Sequence, residues 1–143
     1  MRKMVLSAFL AVTTTATTLF AQDFNDVKKT LDNKKFGEAK DKIDKILADP
    51  KNQKAANAWY YKGVVYEELS KDSTRTDLDY RLEAFNAFKK YQELDPKNIM
   101  LLLEQNAPFF RLYESYYNQG VKDFNAKAYD KAFQKFTNGL KVK

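Results

Sequence analysis

Apolar residues recur at intervals of three and four along most of the chain after residue 22, which is the spacing of one face of an α-helix. No stretch alternates apolar and polar residues for long enough to predict a β-strand. Two of the helical segments end at an Asp-Pro pair, which is a common stop signal. The predicted helices cover residues 23–33, 36–47, 55–69, 78–94, 106–124 and 129–140. This pattern predicts an all-α fold.

Turn residues refine the helix boundaries. Asp23 is placed to cap the first helix, and Asn106 followed by Pro108 marks the start of the fifth. The run 99–103 is apolar but too irregular to assign. The whole chain of 143 residues contains only four Gly and three Pro, which favours long helices joined by few turns.

The segment 1–21 has the layout of a secretory signal peptide. Arg2 and Lys3 precede the apolar run 4–12, and a Thr-rich stretch leads to Ala21, after which cleavage is predicted. The alternative is a membrane anchor over residues 4–20, which five Thr residues between positions 13 and 18 disfavour. We therefore expect an exported protein, periplasmic or secreted, with no membrane span once the signal is removed.

Composition then excludes several kinds of chemistry. The chain has neither His nor Cys, so it cannot form a Cys/His zinc site, a histidine base or a Cys-His nucleophilic pair. Removal of the segment 1–21 takes away Arg2 and Lys3 and leaves 23 Lys and Arg against 19 Asp and Glu, a net charge of +4. Charges of opposite sign alternate locally, without an arginine cluster, so nucleic-acid binding is not expected. The sequence predicts no cofactor, no metal and no enzyme.

The chain also resembles itself. Three predicted second helices align at Ala39, Ala84 and Ala132, each followed four residues later by a large apolar residue. The segment Asp-Pro-Lys-Asn occurs at 49–52 and again at 95–98. Two first helices align without a gap, and this alignment pairs Trp59 with Tyr116, Tyr60 with Tyr117, Gly63 with Gly120 and Val64 with Val121.

These repeats resemble the tetratricopeptide family, whose helix-turn-helix unit carries Trp-x2-Leu-Gly-x2-Tyr, then Ala-x3-Phe, then Pro. The residues that match in order are Trp59, Gly63, Tyr66, Ala84, Phe88 and Pro96. Lys62 stands at the Leu position, and a polar insertion near 70–79 lengthens the unit. The resemblance implies a helix-turn-helix repeat array, an α-solenoid of about three antiparallel helix pairs over 22–143, with repeats at about 23–52, 53–98 and 106–143. An irregular helical bundle is the alternative. The Ala21–Gln22 junction resembles exported proteins of Bacteroidetes-type bacteria.

The resemblance also implies a partner-binding groove lined by the first helix of each pair. In the second pair, a stripe opposite the packing side carries Asn57, Tyr60, Val64 and Glu67, and the third pair repeats it with Tyr117 and Val121. Tyrosines offer large, fairly rigid contact area with a hydrogen-bonding tip. The alternative is that Tyr60 and Tyr117 pack on neighbouring helices.

The last helix predicts a second surface. Repeat arrays normally cover their last apolar face with a polar capping helix, and none follows residue 140 in this sequence. We therefore expect Phe133, Phe136, Leu140 and Val142 to be partly uncovered, either for another chain or for the continuation of a longer protein. The resulting hypotheses are a non-catalytic scaffold that binds a protein or peptide outside the cytoplasm, and a structural protein that self-associates through its C-terminal helix.

Overall fold

The computed structural model describes residues 16–75 and 78–142, so the charged and apolar start of the predicted signal peptide lies outside the described residues. Within the described ranges the chain forms helices and no strand. The α-helices are α1 (Ala16–Asp32), α2 (Phe36–Ala48), α3 (Ala56–Leu69), α4 (Tyr80–Leu94), α5 (Ile99–Leu103), α6 (Ala107–Asn125) and α7 (Tyr129–Lys141), and a short 3-10 turn occupies Asn52–Lys54. The all-α prediction is confirmed.

The six predicted helices correspond to α1–α4, α6 and α7, with two differences. The prediction that Asp23 caps the first helix is wrong, because α1 begins at Ala16 and continues through that position. The apolar run 99–103 forms the short helix α5, which buries Leu101 and leaves Leu103 exposed. Cleavage after Ala21 would leave 22–32 as the first helix.

The two Asp-Pro-Lys-Asn segments share two turn hydrogen bonds and differ at the Asn, which is left-handed at Asn98 but begins the 3-10 turn at Asn52. The Asp49 carboxylate accepts a hydrogen bond from the Lys51 amide at 2.9 Å, and Asp95 accepts one from the Lys97 amide at 3.1 Å. In both segments the backbone amide of the Asn donates to the carbonyl of the Asp at 2.9 Å. An Asp side chain that bonds the backbone two residues on stabilises a turn of this kind. The repeat in the sequence is therefore a repeat in local structure.

Ring contacts show that α3 and α4 run antiparallel. Tyr60 near the start of α3 meets Tyr91 near the end of α4, with ring centroids 5.6 Å apart. Tyr66 near the end of α3 meets Tyr80 at the start of α4, at 5.7 Å. Helices α6 and α7 are also antiparallel, because the end of α6 meets the start of α7 while Gly139 near the end of α7 lies on Tyr116 in the middle of α6.

Both pairs depend on one glycine in their first helix. A methyl group added at Gly63 would lie 2.5 Å from Cδ1 of Phe88, and one added at Gly120 would lie 2.6 Å from Cε1 of Phe136. These distances are far below a normal carbon–carbon contact of about 3.5–4.0 Å. The glycine therefore lets the aromatic ring of the second helix lie directly on the backbone of the first, in α3–α4 and again in α6–α7.

Successive pairs are joined by side chains of α3. On one side, Tyr61 stacks on Phe24 of α1 at 5.8 Å, and the Tyr66 hydroxyl donates to Asp44 of α2 at 2.8 Å. On the other side, α6 packs against both α3 and α4. The expectation that Val142 is uncovered is wrong, because this residue is fully buried after α7 turns its last residues back onto the start of α6.

Candidate partner-docking face

One side of the α6–α7 pair carries a continuous row of apolar side chains, which we name the α6–α7 face. The α6 residues follow each other at intervals of three, four or seven, and so do the α7 residues, so each set lies along one side of its helix. The face consists of Phe110, Tyr117, Val121 and Phe124 from α6, and Tyr129, Phe133, Phe136 and Leu140 from α7.

Aromatic contacts join the two sets into a single surface. Tyr117 of α6 lies on Phe136 of α7 with ring centroids 5.9 Å apart, and Phe124 meets Tyr129 at 5.4 Å with their ring planes steeply inclined. Tyr113 stacks on Tyr117 at 6.4 Å and extends the surface toward the start of α6. Offset and edge-to-face pairs of this kind are favourable, so they favour the observed arrangement of the rings.

Most of this surface is open to solvent. Phe133 is 71% exposed and Leu140 is 70% exposed, and Phe136 is half-buried beneath Tyr117. Seven of the eleven exposed large hydrophobic side chains in the described part of the chain belong to the α6–α7 face. Single exposed apolar residues are ordinary, but a contiguous group of this size is not.

The preceding helix pair shows how an equivalent surface is covered. Phe85 and Phe88 of α4 are the counterparts of Phe133 and Phe136 in the alignment of second helices. Phe109 of α6 lies against both Phe85 and Phe88, with ring centroids 5.8 and 5.9 Å away. Phe88 is fully buried as a result. Among the described residues no helix takes the corresponding place over α7.

Comparison of the two helix pairs also explains why the predicted groove residues of α3 are buried. Tyr60 and Glu67 are buried, with 8% and 3% of their surface exposed, and Val64 is half-buried between them. In the alignment of first helices their counterparts, all of them exposed, are Tyr117, Phe124 and Val121. The stripe therefore points toward the next helix pair, and in α3 the elements α5 and α6 already cover it.

A polar network fixes that covered contact. The Tyr60 hydroxyl donates to Oε1 of Glu104 at 2.5 Å, and the Arg111 guanidinium pairs with Glu67, whose Oε2 accepts from Nη2 at 3.0 Å. Arg111 also donates to Glu104 at 3.2 Å. Burial, followed by the hydrogen bond to Glu104, raises the pKa of Tyr60 above its usual value. The hydrogen bond to Glu67 raises the pKa of Arg111, so both groups keep their protonated forms.

The structure thus divides the predicted groove residues. Tyr117 and Val121 join the α6–α7 face, where they meet the predicted terminal residues Phe133, Phe136 and Leu140. Asn57 is exposed at the start of α3, away from that face. Prediction from the sequence missed Phe110, Phe124 and Tyr129, although the regular spacing of Phe110, Tyr117 and Phe124, one every two helical turns, is a signal that could have revealed the α6 row.

Two cavities open on the α6 surface, one whose lining includes Phe110 of the α6–α7 face and one whose lining includes none of its residues. An apolar cavity of about 260 Å³ is lined by Phe109, Phe110, Tyr113 and Val142, and it borders the α6–α7 face. A polar cavity of about 530 Å³ is lined by Lys71, Arg81, Arg111, Glu114, Ser115, Asn118, Gln119 and Lys122.

Three cations of the polar cavity already have partners within the fold. Arg111 is paired with Glu67 and Glu104, and Lys71 is paired with Glu68. Arg81 is buried and donates to the Ser70 carbonyl at 2.8 Å. Arg111 and Arg81 join α6 and α4 to α3, and Lys71 pairs with a neighbour at the end of α3, so the polar cavity offers an external anion less charge than its lining residues suggest.

The part of the chain that the structure describes contains no group of three acidic side chains placed to hold a metal ion. Across residues 16–75 and 78–142, no helix combines the length and apolar character needed to cross a bilayer. Comparison of the sequence with protein-family models, with curated proteins and with solved structures found no match.

Proposed function

We propose that this chain is a non-catalytic protein-interaction scaffold of the tetratricopeptide type, acting outside the cytoplasm, and that it binds a protein through the α6–α7 face. The observation that carries the proposal is the contrast between two equivalent surfaces. The α3–α4 pair has its aromatic surface covered by α6, while the α6–α7 pair presents its own to solvent.

The repeat interpretation has support from three recurring contacts. The Asp-Pro-Lys-Asn turn occurs twice, the glycine-to-phenylalanine approach occurs twice, and two antiparallel pairs carry aligned aromatic residues. A repeat unit of this type cannot bury its apolar surface alone, so each pair requires a neighbour. The uncovered pair is the natural place for a partner protein.

The chemistry of the face favours binding over catalysis. Its eight residues are apolar or aromatic, and the face carries no carboxylate, amine or guanidinium group. Apolar area with tyrosine hydroxyls at its edge is typical of the centre of protein interfaces. A leader that directs export, as the segment 1–21 predicts, would place this surface outside the cytoplasm.

The proposal can be tested by photo-crosslinking in a Gram-negative host that carries the chain with its own N-terminal segment. A benzophenone amino acid replaces Phe133 on the face, and in a control variant it replaces Leu103, which is 76% exposed on α5. We expect discrete protein adducts from position 133, in the exported fraction, and none from position 103. Equal adducts at both positions, or none at either, would overturn the proposal.

Export of the chain is tested on the same cells that are used for crosslinking. The mass of the purified chain shows whether cleavage occurs after Ala21, and cell fractionation shows where the chain accumulates. A chain that stays in the cytoplasm with its segment 1–21 intact would contradict the predicted location, whatever it binds.

A further inference from the structure

We infer that the protein covering the α6–α7 face is a second copy of this chain, and that the two copies form a symmetric dimer. This inference rests on the proposed function, because it names the partner of the same surface. Three features of the face support it: its area, its lack of charge and the arrangement of its two rows.

The area of the face matches what a stable dimer needs. Five of its exposed residues are aromatic, and an aromatic side chain buries about 150–250 Å² when fully covered. With the observed exposures, which run from 37% at Val121 to 71% at Phe133, the face offers roughly 700 Å² per copy. The largest apolar patch on a typical monomer is about 300–600 Å². Two copies would bury roughly 1,400 Å² in total, within the range of about 1,200–2,000 Å² for specific stable interfaces.

The absence of charge makes the face compatible with itself. In a two-fold interface each residue meets the same surface on the other copy, so like charges would repel. None of the eight residues of the face is charged. The two copies both carry net positive charge, but because no charge lies in the face, their repulsion comes from residues outside the contact and is screened by salt.

One substitution within the repeat argues against a partner that docks on α6 in the way that α6 docks on α3. In α3, the buried carboxylate of Glu67 receives Arg111 of the covering helix. The counterpart of Glu67 in α6 is Phe124, which is 56% exposed. An arginine brought to that place would lose water without gaining a carboxylate, which is unfavourable in a dry contact. An aromatic row, such as the face itself carries, avoids this penalty.

A two-fold axis that lies between the two faces and runs parallel to the helices gives a specific arrangement. It places α6 of each copy over α7 of the other, so that four helices form one layered bundle. The α6 row of Phe110, Tyr117 and Phe124 then lies against the other copy's α7 row. Packing of this kind, helix on helix with facing apolar stripes, is the geometry of four-helix bundles.

The test uses the exported chain as the host processes it, examined by sedimentation equilibrium and light scattering over a hundredfold concentration range. We expect a reversible monomer–dimer equilibrium that stops at two copies. Leu140→Glu should weaken the dimer on the order of a hundredfold, because the contact would bury an unpaired carboxylate. Leu103→Glu is the matched control, since Leu103 is as exposed as Leu140 but lies on α5; it should leave the equilibrium within about threefold of the unchanged chain. Far-UV circular dichroism and the urea midpoint of dilute protein check that both variants fold.

A second measurement keeps the apolar character of the face. The chain has no cysteine, so Leu140→Cys and Leu103→Cys each introduce a single reporter thiol. We expect maleimide labelling at position 140 to slow as concentration rises, and labelling at position 103 to stay constant. A mass that remains monomeric at all concentrations, with constant labelling at position 140, would overturn the inference. Growth beyond two copies would also overturn it, because an open series of contacts is head-to-tail and not two-fold.

The two proposals fail in different ways. Adducts at position 133 that contain a different exported protein, together with a monomeric mass, would leave the interaction scaffold standing and reject the second copy. Absence of both adducts and dimer would reject both.

Discussion

Substitution of Gly63 by alanine tests whether the close approach of α3 and α4 is a structural requirement. The added methyl would lie 2.5 Å from Cδ1 and 2.8 Å from Cζ of Phe88, so the ring must move by about 1 Å to restore normal contact. Phe88 is fully buried, with Tyr60 on one side at 6.2 Å and Phe109 on the other at 5.9 Å between ring centroids. The ring therefore has no free space into which it can turn.

Two effects of opposite sign decide the outcome. Overpacking a well-filled core costs typically about 1–3 kcal/mol. Replacing glycine by alanine inside a helix returns about 1 kcal/mol through helix propensity. Because the buried ring cannot relieve the clash, the packing cost should lie in the upper part of that range, about 2–3 kcal/mol, so we expect Gly63→Ala to lower the free energy of unfolding by roughly 1–2 kcal/mol.

Gly120→Ala is the matched control. Its methyl would meet Phe136 at 2.6 Å, a similar distance, but Phe136 is half-buried at the α6–α7 face and can turn outward. The propensity gain should then offset the smaller packing cost, and the net change should lie within about 0.5 kcal/mol of zero.

Urea unfolding, followed by circular dichroism on protein dilute enough to be monomeric, gives both free energies from midpoint and slope. Combining Gly63→Ala with Phe88→Leu should give less than the sum of the two single losses, because the smaller side chain makes room for the methyl. If Gly63→Ala proves neutral or stabilising, the close contact of α3 with the Phe88 ring is not a structural requirement.

Three further outcomes follow from the polar contacts. Arg111→Ala should lower the free energy of unfolding by roughly 1–3 kcal/mol, because it leaves the buried carboxylate of Glu67 without its partner while the 41% exposure of Arg111 lets water reach the vacated place; adding Glu67→Leu should recover part of the loss in urea unfolding. Tyr116→Phe should cost about 1–2 kcal/mol in the same assay, since Asp79 loses the hydroxyl that donates to it at 2.8 Å; an unchanged midpoint would show that water replaces the bond. Stability should hold up to about pH 10 and fall above it, because burial and then hydrogen bonds to carboxylates raise the pKa of three tyrosines in the folded state, so the unfolded chain releases those protons first. These tyrosines are Tyr60, Tyr66 and Tyr116. A urea midpoint that is flat from about pH 8 to about pH 11 would contradict the predicted loss of stability.

Helix positions could be predicted well because they depend on local pattern. The stripe from Phe36 to Leu47 and the stop at Asp49-Pro50 place the end of α2 one position before its observed end at Ala48. The start of α1 could not be predicted, because residues 16–22 are compatible with both a helix and the end of a leader. Helix α5 is short, and an apolar run of that length has no measurable period.

Exposure could not be predicted in the same way, because it depends on which helix arrives next. Tyr60 and Tyr117 occupy the same position in two aligned helices, yet one is 8% exposed and the other 50%. Their own helices give no reason for this difference. It arises because α5 and α6 follow the second pair, whereas no described element follows the third.

The sequence does carry one trace of that difference, at a single aligned position. Glu67 in α3 and Phe124 in α6 occupy the same position in the aligned helices. Glu67 is a buried carboxylate paired with an arginine, whereas Phe124 is an exposed ring. A helix pair covered by another helix like α6 would be stabilised by a carboxylate at this position, because the carboxylate would pair with the arginine of the covering helix, as Glu67 pairs with Arg111. The phenylalanine instead leaves the α6–α7 face without a charged residue at this position. Differences in kind between aligned positions therefore carry information about exposure that the shared helical pattern does not.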